Sequence, residues 1–334
     1  MKFGVRLIQH LGTPREIVKL GIAADRAGFD HAWFPSDKFM YHAWAIIVAL
    51  AEHTEHIVVG ANGTEPYGIS PGETATFMAT LDSLNKGRTA IGYGMHTEKM
   101  IEWLGINVDD RVTRVREAVD LMKKIWRGEV AEFDGQEFKW SDQCYLRFDA
   151  ERKVIPIYVS GFEKDDLALS GEIGDGSLPM VTPPESAKLM VDRIKAGADK
   201  AGRDISEVDI CGCAWISLAE DGKNTVTDSL KDILAYFGNY LDEEALNTVG
   251  LSQESFRHTA RAVADRDYAR ARELVTGDMH ALAITGSAQD AIRKIELLAE
   301  SGITQVSIGG PLGPDPAETI RIFGEQVIPY FKTS

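Results

Sequence analysis

The chain has 334 residues, 44% hydrophobic and 26% charged, which is too apolar for a disordered chain and long enough for a sizeable core. Its 36 Lys and Arg against 51 Asp and Glu leave a formal charge of -15 without a basic stripe, which argues against a nucleic-acid reader and leaves solubility as the meaning of the acidity. Three cysteines, no leader pattern after Met1 and no apolar run of about 18 residues predict a cytoplasmic protein without a membrane span or disulfide scaffold.

In chain order, Phe3 to Ile8 predicts a buried strand, and Thr13-Pro14-Arg15-Glu16 a capping box that opens a helix ending at Gly28. His31 to Pro35 predicts a second strand and Ile57 to Ala61 a third, and Ser70-Pro71-Gly72-Glu73 is a further capping box before a helix to about Leu84. The apolar stretch Trp44, Ile46, Ile47, Val48 and Leu50 reads as core or as a subunit face, with core preferred. Arg88 to Tyr93 makes a fourth strand, with helical pattern at Glu98 to Leu104 and Asp110 to Arg127. Val130 to Trp140 then alternates around Asp134-Gly135, a hairpin signal. Ile155 to Ser160, Gly176 to Val181, Asp209 to Ser217 and Gln305 to Ile308 complete eight strands. Cys211 and Cys213 fall on one face of the seventh, and no second Cys/His pair with zinc spacing follows, so they read as two small buried residues.

Eight strands alternating with helices predict a single (β/α)8 TIM barrel over 1–334, with a hairpin excursion at 129–150 and a helical insertion at 220–280 before the last βα unit. Chemistry in such a fold sits at the C-terminal strand ends. Those ends hold Arg6 with Gln9 and His10, Ser36-Asp37-Lys38, Ala61-Asn62-Gly63-Thr64-Glu65, Gly94-Met95-His96, Ser160-Gly161, Val181-Thr182 and Gly309 to Asp315. Asp37 reads either as a carboxylate at the mouth or as the cap of the next helix. His96 is either a proton carrier or a solvated loop residue. Arg6 requires a carboxylate such as Asp37 or Glu65, or an anionic ligand. His53 reads as a cation at a helix C-terminus. The chain has no Gly-x-Gly-x-x-Gly, Walker lysine, Gly-x-Ser-x-Gly or His-Glu-x-x-His motif, and no metal site is predicted.

The Met1-Lys2-Phe3-Gly4 start, Ala24 to Asp37 (A-x-x-x-G-F-D-x-x-W-x-x-S-D), Pro71 to Arg88 (P-x-x-x-A-x-x-x-A-T-L-D-x-L-x-x-G-R), Ile155-Pro156-Ile157-Tyr158 and Ala168 to Gly176 resemble the bacterial luciferase-like superfamily of flavin and deazaflavin oxidoreductases. Within it the chain is most similar to the coenzyme F-420 group and there to the methylenetetrahydromethanopterin reductases, through Ile303-Thr304-Gln305 and Gly309 to Pro314. The resemblance implies hydride transfer at C5 of the deazaflavin, with FMN as the alternative cofactor. It also implies a small-molecule substrate, a pterin among the candidates, and a homodimer or homotetramer.

By that resemblance Asp37, Lys38, Ala61, Asn62, Gly63, Gly94, Ser160, Gly161, Val181 and Thr182 hold the cofactor. Arg6, Gln9, Glu65 and Met95 face substrate, and Asp37, His96 and Arg6 are the catalytic candidates. A non-prolyl cis peptide is expected at Asn62-Gly63. The chain departs from the group's pattern at Lys38, where a histidine is usual, at Met95, where sugar-phosphate and alcohol dehydrogenases carry Glu, and at Arg6, where the reductases carry Glu.

Overall fold

A computed structural model describes residues 1–94, 98–161 and 163–333. Its strands are β1 (Lys2–Arg6), β2 (His31–Pro35), β3 (Val58–Asn62), β4 (Ile91–Gly94), β5 (Phe133–Asp134), β6 (Lys139–Trp140), β7 (Ile157–Ser160), β8 (Gly176–Ser177), β9 (Asp209–Leu218), β10 (Ala283–Gly286) and β11 (Gln305–Gly309). All eight strands expected from the sequence are there. β10 was not expected, and it pairs parallel with the second half of β9, from Ala283 opposite Trp215 to Gly286 opposite Leu218.

The chain forms two compact units, and the first comprises residues 1–30, 181–192 and 210 onward. Here β1 pairs in parallel with β11, and β11 with the first half of β9. Phe3 and Val5 are fully buried, and the Phe3 ring packs against Phe323 at 6.2 Å between centroids. Strand alternation then turns Gly4 and Arg6 to the opposite face. Thr13 caps the helix Pro14–Arg26 by the reciprocal box: its hydroxyl accepts from Glu16 N, while Glu16 accepts from Thr13 N at 2.7 Å. Between β9 and β10 the chain is helical at Asp228–Phe237, Glu243–Asn247, Arg257–Ala264 and Tyr268–Glu273. Ala235, Ala262 and Ala271 pack together among these helices, and Arg272 bonds Asp232 at 2.7 Å and Asp228 at 2.9 Å.

The second unit holds residues 31–180 and 193–209. β2 pairs in parallel with β3, and β4, β7 and β8 pair in parallel in that order. Bridges from Val59 to Thr89 and from Thr64 to Tyr93 join β3 to the β4 segment. Met78, Ile91, Val115, Met122 and Trp126 build the core beneath, and Trp126 Nε1 donates to Ala75 O at 3.0 Å. Of the box expected at Ser70 the structure shows the forward bond, Glu73 N donating to the Ser70 hydroxyl at 3.2 Å. The hairpin β5/β6 is antiparallel, and the Glu117 carboxylate accepts from the amides of Gln136, Glu137 and Phe138 at 2.8 to 3.0 Å. No described helix is long and apolar enough to cross a membrane.

Candidate functional site

In the second unit the exits of β2 and β3 are tied together by Ser36 N, which donates to Asn62 O at 2.9 Å. Asp37 and Lys38 follow, both partly buried. The next helix is Ala43–His53 with His42 at its N-cap, so Asp37 does not cap it. His53 closes that helix and bonds Ala49 O through Nδ1 at 2.8 Å.

Lys38 Nζ donates to Glu65 Oε1, and Glu65 Oε2 accepts from the amides of Tyr67 (2.5 Å) and Gly68 (2.8 Å). Glu65 was expected opposite Arg6 or substrate. Its oxygens serve Lys38 and the turn after β3. Arg114 secures that turn by donating to Pro66 O at 3.1 Å, with its guanidinium 4.6 Å above the Tyr67 ring.

Asn62 is 3% exposed, and Ser160 Oγ lies 3.5 Å from its Oδ1. Ala61, next to it on β3, is fully buried opposite Phe34. The expected cis bond at Asn62-Gly63 is absent, and the cis peptide among the described residues is Gly310-Pro311. Gly63 takes φ 72° and makes the bend that the cis bond was expected to make. Thr64 N then donates to Gly92 O at 3.0 Å and Gly94 N to Thr64 O at 2.8 Å. A Cβ on Gly94 would fall on the Ser160 carbonyl, and one on Gly161 on the Asp166 side chain. Close packing therefore already demands both glycines. Met95 and His96 lie outside the described residues.

Two buried hydroxyls beside this turn, Thr64 Oγ1 and Tyr93 Oη, have no hydrogen-bond partner among the described residues. Burial, with the Glu65 charge adding to it, pushes the Tyr93 phenol well above its usual value. Sequence reasoning missed Asp166, on the first turn of the helix Lys164–Ile173. It bonds Arg111 Nε at 3.0 Å, yet burial outweighs that charge and lifts its carboxyl from 3.8 to about 6. Its only sequence signal was a pair of acids in a first turn, which ordinarily serves the helix dipole.

In the first unit Arg6 is 7% exposed and its guanidinium donates to Cys213 Sγ. Gly309 lies alongside, where a Cβ would stand 3.5 Å from the Arg6 Cβ. Gln9 opens a short 3-10 turn and is half-buried. Val181 is buried. Thr182 N donates to Cys213 O at 2.6 Å and its hydroxyl to Met190 Sδ at 3.4 Å. The structure thus brings together Lys38 with Glu65 and Asn62 with Ser160 in one unit, and Arg6 and Thr182 around Cys213 in the other.

A family model described as luciferase-like monooxygenase matches residues 1–305. The chain belongs to this family. Luciferase-like relatives that match it over nearly its whole length include the 5,10-methylenetetrahydromethanopterin reductases of Archaeoglobus fulgidus (28% identical, 99% of this chain and 100% of the relative) and Methanopyrus kandleri (28%, 99% of each). A solved coenzyme F-420-dependent tetrahydromethanopterin reductase from Methanopyrus kandleri superposes with a TM-score of 0.91 at 28% identity, covering 99% of both chains. An F-420-dependent secondary alcohol dehydrogenase bound to an F-420-acetone adduct superposes at 0.79 and 21% identity, over 97% of both chains. The fold is that of the luciferase-like (β/α)8 barrels.

Proposed function

We propose that this luciferase-like chain is a coenzyme F-420-dependent oxidoreductase that passes a hydride between the deazaflavin C5 and a small molecule, with a methylene-bearing pterin as the first substrate to try. The observation that carries the reading is the end-to-end likeness to the methanopterin reductases, at 28% identity and a TM-score of 0.91. The residues present fit the group. The pyrimidine edge of a deazaflavin alternates carbonyl acceptors with N–H donors, and Lys38, Asn62 and Ser160 at neighbouring strand ends supply a cation, an amide and a hydroxyl. The orphaned Thr64 hydroxyl adds a buried group in search of a partner.

When bound, the deazaflavin supplies the two-electron carrier. The chain's part is orientation and electrostatics. Lys38, steadied by Glu65, offers a fixed positive charge to a ring oxygen. Asn62 and Ser160, nearly inaccessible to water, offer hydrogen bonds without reorganising. His96, which follows β4 in the sequence, is assigned the proton transfer, and Asp37 the acidic group beside the ring. Arg6, where the reductases usually carry Glu, is assigned to charge stabilisation on the substrate side, which broadens the panel to carboxylate-bearing and carbonyl compounds.

The test is fluorescence titration of purified protein with F-420 and, separately, FMN. F-420 binding with oxidation of the reduced cofactor by a methylene pterin or a panel member is the expected result. Binding of FMN alone would overturn the deazaflavin assignment.

A further inference from the structure

Cys211 and Cys213 stand one residue apart on β9 and so share a face. Both are buried, at 0% and 1% exposure, with their sulfurs 3.7 Å apart. Arg6 donates to Cys213 Sγ, and Gln305 Oε1 lies 3.5 Å from Cys211 Sγ. Opposite Cys213 in the register is Ser307, fully buried, whose hydroxyl has no partner among the described residues. Strand interiors of this fold are ordinarily filled by branched apolar side chains. Two thiols, a guanidinium and an orphaned hydroxyl are not a set that packing selects.

We propose that Cys211 and Cys213 form a two-thiolate site for a soft monovalent metal ion of the cuprous class, with Arg6 as the neighbouring counter-charge. Thiolates select soft ions of this kind. At a metal–sulfur distance of about 2.3 Å, sulfurs 3.7 Å apart subtend roughly 107° at the ion. A linear arrangement would need about 4.6 Å, so side-chain rotation has less than about 1 Å to supply. A zinc site is a worse fit, since it wants four ligands and the described residues hold no group of three or more His, Cys, Asp or Glu able to take a metal.

A disulfide fits poorly too. Residues two apart on a strand keep their Cα atoms about 6.6 Å apart, at the edge of the disulfide range, and the sulfurs would have to close to about 2.05 Å. The disulfide would also remove the charge-accepting sulfur that Arg6 faces. Binding displaces the thiol protons of the two cysteines to solvent, with no change of oxidation state. Two thiolates around a monovalent ion carry one net negative charge, the sign the guanidinium prefers beside it.

The experiment is an anaerobic titration of the reduced full-length protein with Cu(I) held by bicinchoninate, a coloured competitor. One equivalent per chain should leave the chelator. Cys211→Ser and Cys213→Ser should each lower retention at least tenfold, and Cys144→Ser, at a half-buried thiol elsewhere, should leave it unchanged. Because a serine beside Arg6 can perturb folding, X-ray absorption of the copper-loaded wild type supplies a second readout, expected to show two sulfur neighbours. Failure to withdraw copper, retention unaltered in both variants, or a shell of nitrogen and oxygen alone would overturn the site.

Discussion

Lys38 can donate three hydrogen bonds and orients only as well as its partner holds it, and Glu65 is itself fixed by two backbone amides. Replacing Glu65 with Gln keeps the volume and removes the charge that steadies the ammonium. The expected result is F-420 binding weakened about tenfold, roughly 1.4 kcal/mol, with near-native circular dichroism. Unchanged affinity in both Glu65→Gln and Lys38→Ala would take Lys38 out of the cofactor site. Asp166 makes a prediction about pH. Its carboxyl is raised from 3.8 to about 6 in the folded chain, so its stabilising contribution is complete below about pH 4 and is lost as pH rises through about 6. That shift corresponds to at most about 3 kcal/mol. Urea midpoints at pH 4 and pH 7 should therefore fall less steeply with rising pH in Asp166→Asn than in the wild type, and equal slopes would refute the burial argument. That Asp37, Lys38 and Asn62 stand at strand ends was legible in the sequence, because a polar residue directly after an apolar strand has few places to go. The attachment of Glu65 to Lys38 was not, since the two are 27 residues apart and only the pairing of β2 with β3 brings their loops together.

Elements were legible where a local signal coincided with the tertiary demand. The capping box at Thr13 is such a case, and Thr13→Ala should cost about 1 kcal/mol in a denaturation series, because Thr13 and Glu16 each satisfy an otherwise orphaned amide. A loss below a few tenths would mean that packing of Ile17 and Ala24 alone fixes the helix start. β10 shows the opposite case. Its four residues Ala283-Ile284-Thr285-Gly286 are too few to display alternation, and they run straight from a helical segment into the Ser287 cap of the helix Ala288–Glu300. What makes them a strand is the length of β9, whose last residues, Ile216 to Leu218, run on past the end of its pairing with β11 and pair with β10. The bend after β3 likewise escaped the sequence reading, since a glycine with positive φ and a cis peptide are alternative ways to turn the same chain.

At the scale of the whole molecule the excess of carboxylates sets how stability responds to salt. The surface carries many i,i+4 pairs such as Lys195–Asp199 and Arg261–Asp265, each well exposed. Pairs of that kind contribute between nothing and about 1 kcal/mol, and salt weakens them. Against them stands the mutual repulsion of a chain with net charge -15, which salt also weakens. The two effects oppose each other, and the imbalance of 51 acids against 36 cations decides which prevails, because every cation could be paired and 15 carboxylates would still repel. Between about 0.05 M and about 1 M NaCl the screening length shrinks from well over 10 Å to about 3 Å, which removes repulsion between separated carboxylates more completely than attraction within contact pairs. The melting temperature should therefore climb across that range, and sucrose at matched osmolality should reproduce only the part of the rise that comes from solute exclusion. A flat or falling curve in NaCl would mean that the exposed pairs outweigh the net charge.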